Sequence, residues 1–256
     1  MELIDTHCHL DVADFDADRD AVRAACKDAG LTALVIPAIH ARGWPGLLEL
    51  CVAKGRPRLY PALGLHPVYL EQHADADLVD LERLVKRSRP LAIGEIGLDF
   101  YVRELDAGRQ QRLFEAQLGI AQDAGLPVLL HVRKAHDEVL AALRRIPVCG
   151  GIAHAFNGSL QQAAQYLELG FKLGFGGMLT FERSTKLRRL AAQLPMEAIV
   201  LETDAPDMTV ASHQGERNSP EYLPQVLAAL AEIRAVDHAE IAARTTANAR
   251  AVLGLA

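Results

Sequence analysis

Eight short runs rich in aliphatic and β-branched residues recur along the chain, each parted from the next by a longer amphipathic stretch. They read LIDTH, TALVIPA, RLYPALGLH, LAIGEIGLD, LPVLLHV, CGGIAHAF, GFKLGFGG and AIVLETDAP. Strands alternating with helical patterns indicate βα units, whose parallel strands need helices to cover them. Between two of the runs, in GRQQRLFEAQLGIAQDAG, Leu113, Gln117, Ile120 and Ala124 fall at near-helical spacing. Gly30, Gly125 and Gly170 stand where a helix should end just before a strand. Eight units in 256 residues match the count of a TIM (β/α)8 barrel. A doubly wound open sheet would use fewer strands and often a Gly-x-Gly-x-x-Gly turn, and none follows the first run. With no linker-like or low-complexity tract, residues 1–256 are expected to form a single barrel domain. The segments Pro220 to Ala235 and Asp237 to Leu253 are expected to supply the last barrel helix and a terminal cover, with Pro224 delaying the start of the first.

Composition removes several function classes. Half the residues are hydrophobic, enough for a large core, and the net charge of −6 argues against a broad basic surface for long duplex nucleic acid. The four cysteines, Cys8, Cys26, Cys51 and Cys149, are widely spaced and form no Cys-x-x-Cys pair, so neither a disulfide framework nor a thiolate metal site is expected. No apolar run reaches the roughly 20 residues needed to cross a bilayer, and the first strand follows the N-terminus without a basic-then-apolar leader. The expected compartment is the cytoplasm, with the chain a monomer or weak oligomer.

In a barrel the chemistry lies at the C-terminal ends of the strands. Run one ends in His7 and His9, run three in His66 before Pro67, run five in His131, run six in His154 and run eight in Asp204. Run four carries Glu95 amid apolar residues, with Asp99 just beyond. A lone histidine can be an ordinary core residue. A carboxylate inside an apolar strand is harder to explain that way, because an unpaired buried charge forfeits several kcal/mol of hydration. Imidazoles and carboxylates converging on one mouth suit divalent ions such as Zn²⁺ or Mn²⁺. Six ligands exceed one four-coordinate site and suit two ions about 3.5–4 Å apart. The division expected is His7, His9 and Asp204 on one ion, His131 and His154 on the other, and Glu95 between them. On an extended strand Asp5, His7 and His9 would share a face, with Cys8 opposite. Glu202 is read as facing away from Asp204, and Asp99 as orienting a ligand histidine.

The motifs IDTHCHLD, ALGLHP, AIGEIGLDFY, LPVLLHVRKAHDEVL, HAFNGSLQQA and VLETDAPDM, between Ile4 and Asn248, resemble those of the TatD family of metal-dependent hydrolases, closest to its YjjV-like branch. The resemblance implies a TIM barrel, divalent metals bound by His7, His9, Glu95, His131, His154 and Asp204, and deoxyribonuclease activity often acting from the 3′ end. The expected cofactors are two divalent ions (Mg²⁺, Mn²⁺ or Zn²⁺), and the expected substrate is single-stranded or frayed DNA ends. Asp204 is the candidate proton acceptor and, with Glu95 and His66, makes up the expected catalytic group. His66 would bind the scissile phosphate or protonate the leaving oxygen, unless it merely caps the turn at Pro67. Arg133 and Arg217 are candidates to pair with phosphate oxygens. Two other readings stay open on the same residues: an amide or ester hydrolase, for instance on aminoacyl-tRNA, and a non-catalytic metal-binding protein.

Overall fold

The computed structural model describes residues 1–255. Eight strands run parallel in sequence order: β1 (Leu3–Asp5), β2 (Leu31–Pro37), β3 (Arg58–Leu63), β4 (Ala92–Asp99), β5 (Val128–Arg133), β6 (Gly151–Ala153), β7 (Phe171–Phe175) and β8 (Ile199–Leu201). Each pairs with the next, and Thr6 brings the first strand back to the last by donating its N–H to Leu201 O at 3.1 Å. This is the expected TIM barrel.

Nine α-helices follow among the described residues: α1 (Arg19–Asp28), α2 (Trp44–Val52), α3 (Asp75–Ser88), α4 (Ala107–Ala124), α5 (His136–Arg145), α6 (Leu160–Glu168), α7 (Thr185–Gln193), α8 (Leu223–Arg234) and α9 (His238–Leu253). Their starts are encoded locally. The side chains of Asp106, Ser159 and Asp237 accept backbone N–H groups at the beginnings of α4, α6 and α9, each such cap contributing about 1 kcal/mol. Gly30, Gly125 and Gly170 have the positive φ expected of residues that end a helix.

Alternation along the strands separates two apolar layers. Ile4, Ala33, Val35, Ala62, Ala92, Leu129, Ile152 and Val200 form one cluster with Ala249 and Leu253 of α9. Side chains from seven strands can meet only in the lumen, so α9 plugs its lower end. The opposite faces pack against the surrounding helices through residues such as Leu34, Ile36, Leu130, Phe171 and Leu201. Burying each such side chain is worth about 1.5–3 kcal/mol, and the site is built on this rigid shell.

Several details differ from the sequence reading. β1, β6 and β8 have three residues each and end before the polar residues that follow them. These residues stand on the connecting loops, so apolar composition marked the strands while the polar tails of the same runs lie beyond their ends. The inward face of α4 is Gln110, Phe114, Gln117, Leu118 and Ala121, with Leu113 and Ile120 only partly buried and Ala124 exposed. Gln117 keeps its expected inward place, and its amide exchanges hydrogen bonds with the backbone of Leu65, at 2.7 and 3.2 Å. Pro220–Tyr222 forms a separate 3₁₀ turn before α8, with Pro224 in the first helical turn, where a missing N–H costs nothing. Cys149 is exposed. No described helix is long and apolar enough to cross a membrane.

Candidate metal centre

Six side chains from the upper end of the barrel converge around Glu95, and its two carboxylate oxygens face different partners. Oε2 lies 3.1 Å from His7 Nε2 and 3.5 Å from His9 Nε2. Oε1 lies 3.0 Å from His131 Nδ1, 3.4 Å from His66 Nε2 and 3.8 Å from His154 Nε2. Asp204 spans both groups. Its Oδ1 is 3.7 Å from both His7 and His9, and its Oδ2 is 3.8 Å from His154. The backbone of Asp204 sits in the left-handed region at φ 59°. For a residue with a Cβ this costs roughly 1 kcal/mol or more, a strain typical of functional turns.

The shorter of these distances, those from Glu95 to His7, His9, His66 and His131, match the edges of a coordination shell, and those of Asp204 and His154 are a few tenths of an ångström longer. Bonds of about 2.0–2.2 Å to a divalent ion put neighbouring ligand atoms about 3.0–3.5 Å apart. The outer nitrogens decide whether the inner ones can serve. His9 Nδ1 donates to Pro37 O at 3.1 Å, His131 Nε2 to Asp99 Oδ2 at 2.9 Å, and His154 Nδ1 to Glu202 Oε1 at 3.1 Å. A carbonyl or carboxylate can only accept, so in the neutral ring each proton is held on the outer nitrogen and each inner nitrogen has its lone pair free for a metal. The donor set therefore fits divalent metal. Three groups of side chains lie close enough together to hold an ion: His7–His9–Glu95, His7–His154–Glu202 and His66–Glu95–His131.

His66 is wired the opposite way. The backbone N–H of Val68 donates to its Nδ1 at 3.1 Å, so the neutral ring carries its proton on Nε2, the atom that faces Glu95 and His131. Burial lowers its pKa to about 4, which keeps the ring neutral. His66 both caps its turn and presents a donor to the cleft.

Burial would push the Glu95 carboxyl up, but the imidazoles of His66 and His7 and the hydrogen bond from His131 together hold it well below the usual carboxylate range. Burial likewise works against the cations of His9 and His154. It is outweighed by Glu95 at His9, which rises to about 9, and by Asp204 and Glu202 at His154, which rises to about 10.

Other expected residues lie elsewhere. β1 ends at Asp5, whose carboxylate turns to Thr203 and accepts from its hydroxyl at 2.5 Å, so Asp5 does not join His7 and His9. Cys8 is fully buried in the apolar shell. Arg133 is exposed beside the cleft, its guanidinium 3.7 Å above the Tyr101 ring. Arg217 is not brought to the mouth. It forms a two-pronged pair with Asp18 at 2.7 and 2.9 Å and lies over Phe15, because the loop after β8 folds back onto the start of α1. Glu202 does more than face away from Asp204, since it accepts from both His154 Nδ1 and the Ala155 N–H, the latter at 2.6 Å. Its place depends on Gly174 of β7, where an added Cβ would lie 2.1 Å from Glu202 Oε2. The glycine-rich GFGG run was the available signal, but it says nothing about its neighbour across the sheet.

The family model described as TatD related DNase matches residues 4–254. The chain is 42% identical over 243 residues to the metal-dependent hydrolase YjjV of Escherichia coli K12, covering 93% of each protein. The crystal structure of YjjV, a TatD homologue from that organism, superposes with a TM-score of 0.94, covering 99% of this chain and 98% of that one. A relative from Erwinia billingiae, a 3′-5′ ssDNA/RNA exonuclease named TatD, is 32% identical over 99% of both chains. With a match that runs nearly end to end, and a barrel whose upper rim offers buried imidazole and carboxylate to divalent ions, the chain belongs to the TatD family of metal-dependent hydrolases.

Proposed function

We propose that this hydrolase is a deoxyribonuclease that trims single-stranded or frayed DNA ends from the 3′ side. The observation that carries the reading is Glu95, whose two oxygens serve two different sets of imidazoles, an arrangement suited to two ions sharing one carboxylate. The activity named for the Erwinia relative supports the substrate class. His7, His9 and Asp204 would hold one ion and His131 and His154 the other, with Glu95 common to both. Divalent ions so held supply Lewis acidity at a phosphate and bring the pKa of a bound water toward neutrality.

The protein's own groups do the rest. Asp204 is placed to accept the proton of an attacking water, because its carboxylate stands at the cleft rather than deep in the shell. His66 Nε2–H donates to a non-bridging phosphate oxygen. A neutral ring with Nδ1 already engaged is a hydrogen-bond donor rather than a strong acid, so phosphate binding is preferred to protonation of the leaving group. Asp99 and Glu202 hold the rings of His131 and His154 in one orientation. The net charge of −6 leaves few contacts for a long duplex, which favours a strand end entering a recessed mouth.

The test is an end-labelled single strand beside a covalently closed circle of the same sequence, each with Mg²⁺ or Mn²⁺. Stepwise shortening of the strand and survival of the circle are expected. Rapid cutting of the circle would overturn the end-directed reading. Cleavage of neither, with turnover of a simple carboxylic ester, would move the function to ester hydrolysis.

A further inference from the structure

The metal centre sits at the junction of two cavities of about 870 and 800 Å³, both lined by His131, His154 and Asp204. Their outer walls differ in charge. The smaller cavity, between the loops after β5, β6 and β7, carries Arg133, Arg183 and Lys186. Neither guanidinium has a carboxylate partner among the described residues. Instead each lies over a ring, Arg133 at 3.7 Å from Tyr101 and Arg183 at 4.9 Å from Phe181. Lys186 donates only to the Asn157 carbonyl, at 2.5 Å. A guanidinium held over a ring has lost some freedom in advance and still has N–H groups to offer an anion. Tyr101, over whose ring Arg133 lies, is 56% exposed.

The larger cavity is the reverse. Asp11, Asp14, Asp16 and Asp207 line it against two arginines, of which Arg19 is already held by Asp16 at 2.6 Å and by the carbonyls of Leu10 and Val12, and Arg42 stands at the exposed rim. Phosphates would be repelled there and attracted across the centre.

We infer that the smaller cavity is the track for the anionic strand, with its upstream phosphates on Arg133, Arg183 and Lys186 and a base against Tyr101, while the larger cavity takes the terminal nucleoside. This rests on the nuclease reading and adds the direction in which the strand lies. A terminal nucleoside carries no phosphate beyond its sugar, so it suits an acidic wall, and a 3′-phosphate does not.

Binding and cleavage are measured separately on the metal-loaded protein. The binding probe is a fluorescent oligothymidylate with phosphorothioate terminal linkages, followed by anisotropy across a salt series. Three phosphate contacts predict a slope of log affinity against log salt of about −2, at about 0.7 per contact for a single strand. Arg183→Ala with Lys186→Ala should weaken binding at least tenfold and flatten the slope by about 1.4. Lys27→Ala with Arg87→Ala removes equal charge from exposed helix positions and should change neither. A 3′-phosphoryl strand should bind at least tenfold more weakly than its 3′-hydroxyl counterpart. Binding indifferent to Arg183 and Lys186, equal loss in the control pair, or no binding at all would overturn the track. Equal affinity for the two 3′ ends would overturn the placement of the terminal nucleoside. Binding that follows the predicted pattern without cleavage of unmodified strands would refute the nuclease reading and leave the anionic track standing.

Discussion

Gly174→Ala tests whether the environment behind the metal centre is as closely packed as the structure requires. The new methyl would stand 2.1 Å from Glu202 Oε2 and 2.6 Å from its Cδ, against the roughly 3.5 Å of an ordinary contact. Glu202 must therefore move by more than an ångström, yet it is only 1% exposed and has no solvent to move into. Its hydrogen bonds to His154 Nδ1 (3.1 Å) and the Ala155 N–H (2.6 Å) would both break. Bonds to a charged acceptor are worth about 1.5–3 kcal/mol each, and part is recovered by relaxation. The net loss should be about 2–4 kcal/mol, and at about 2–4 °C per kcal/mol Tm should fall by roughly 5–15 °C. His154 would also lose the acceptor that fixes its tautomer, which should weaken metal binding about 10–100-fold. Thermal melting and competition with a chelator measure the two effects. Gly176→Ala is the control on the same run, since its Cβ would meet Glu202 no closer than 3.3 Å. A Gly174→Ala protein with wild-type Tm and wild-type metal affinity would refute the reasoning.

Glu95→Ala should lower the metal content and remove most activity while leaving the helical circular dichroism unchanged, because the lumen packing lies below it; full activity would exclude a shared carboxylate. His66→Ala should keep wild-type metal content and lose about 10²-fold in rate; loss of metal would make His66 a ligand instead. In the metal-free chain His9 and His154, with pKa values raised to about 9 and about 10, hold protons at pH 7 that a metal must displace. Their stabilising charge is fully present below the ordinary histidine pKa and is lost as pH rises through 9 and 10. Metal affinity should therefore climb from pH 6 to 9, and calorimetry at pH 7 in two buffers should show at least two protons released, since the pKa of His131 is raised as well. Binding that is independent of pH would contradict this. Arg217→Ala should leave strand binding unchanged and barely move the Tm, since its pair with Asp18 is solvent-screened; weakened strand binding would return it to the site.

The sequence by itself determined the barrel and the identities of the converging groups. Periodicity is local physics: eight apolar runs with capped helices between them leave few ways to bury their faces, and strand ends are where a barrel gathers polar residues. Glu95 was legible for the same reason, as a charge in an apolar run that needs a buried partner. Tertiary structure alone decided what each group touches. Gln117, a polar residue on the inward face of α4, found its partner in the backbone of Leu65, 52 residues earlier. Arg217, chemically suited to phosphate, was claimed by Asp18, 199 residues away in sequence. One backbone N–H at Nδ1 of His66 decides that its neutral ring carries the proton on Nε2. Gly174 was one glycine of the GFGG run until the sheet set Glu202 against it. A residue's chemistry is written in the chain, but its proton, partner and orientation depend on contacts between distant segments, and those exist only once the barrel has closed.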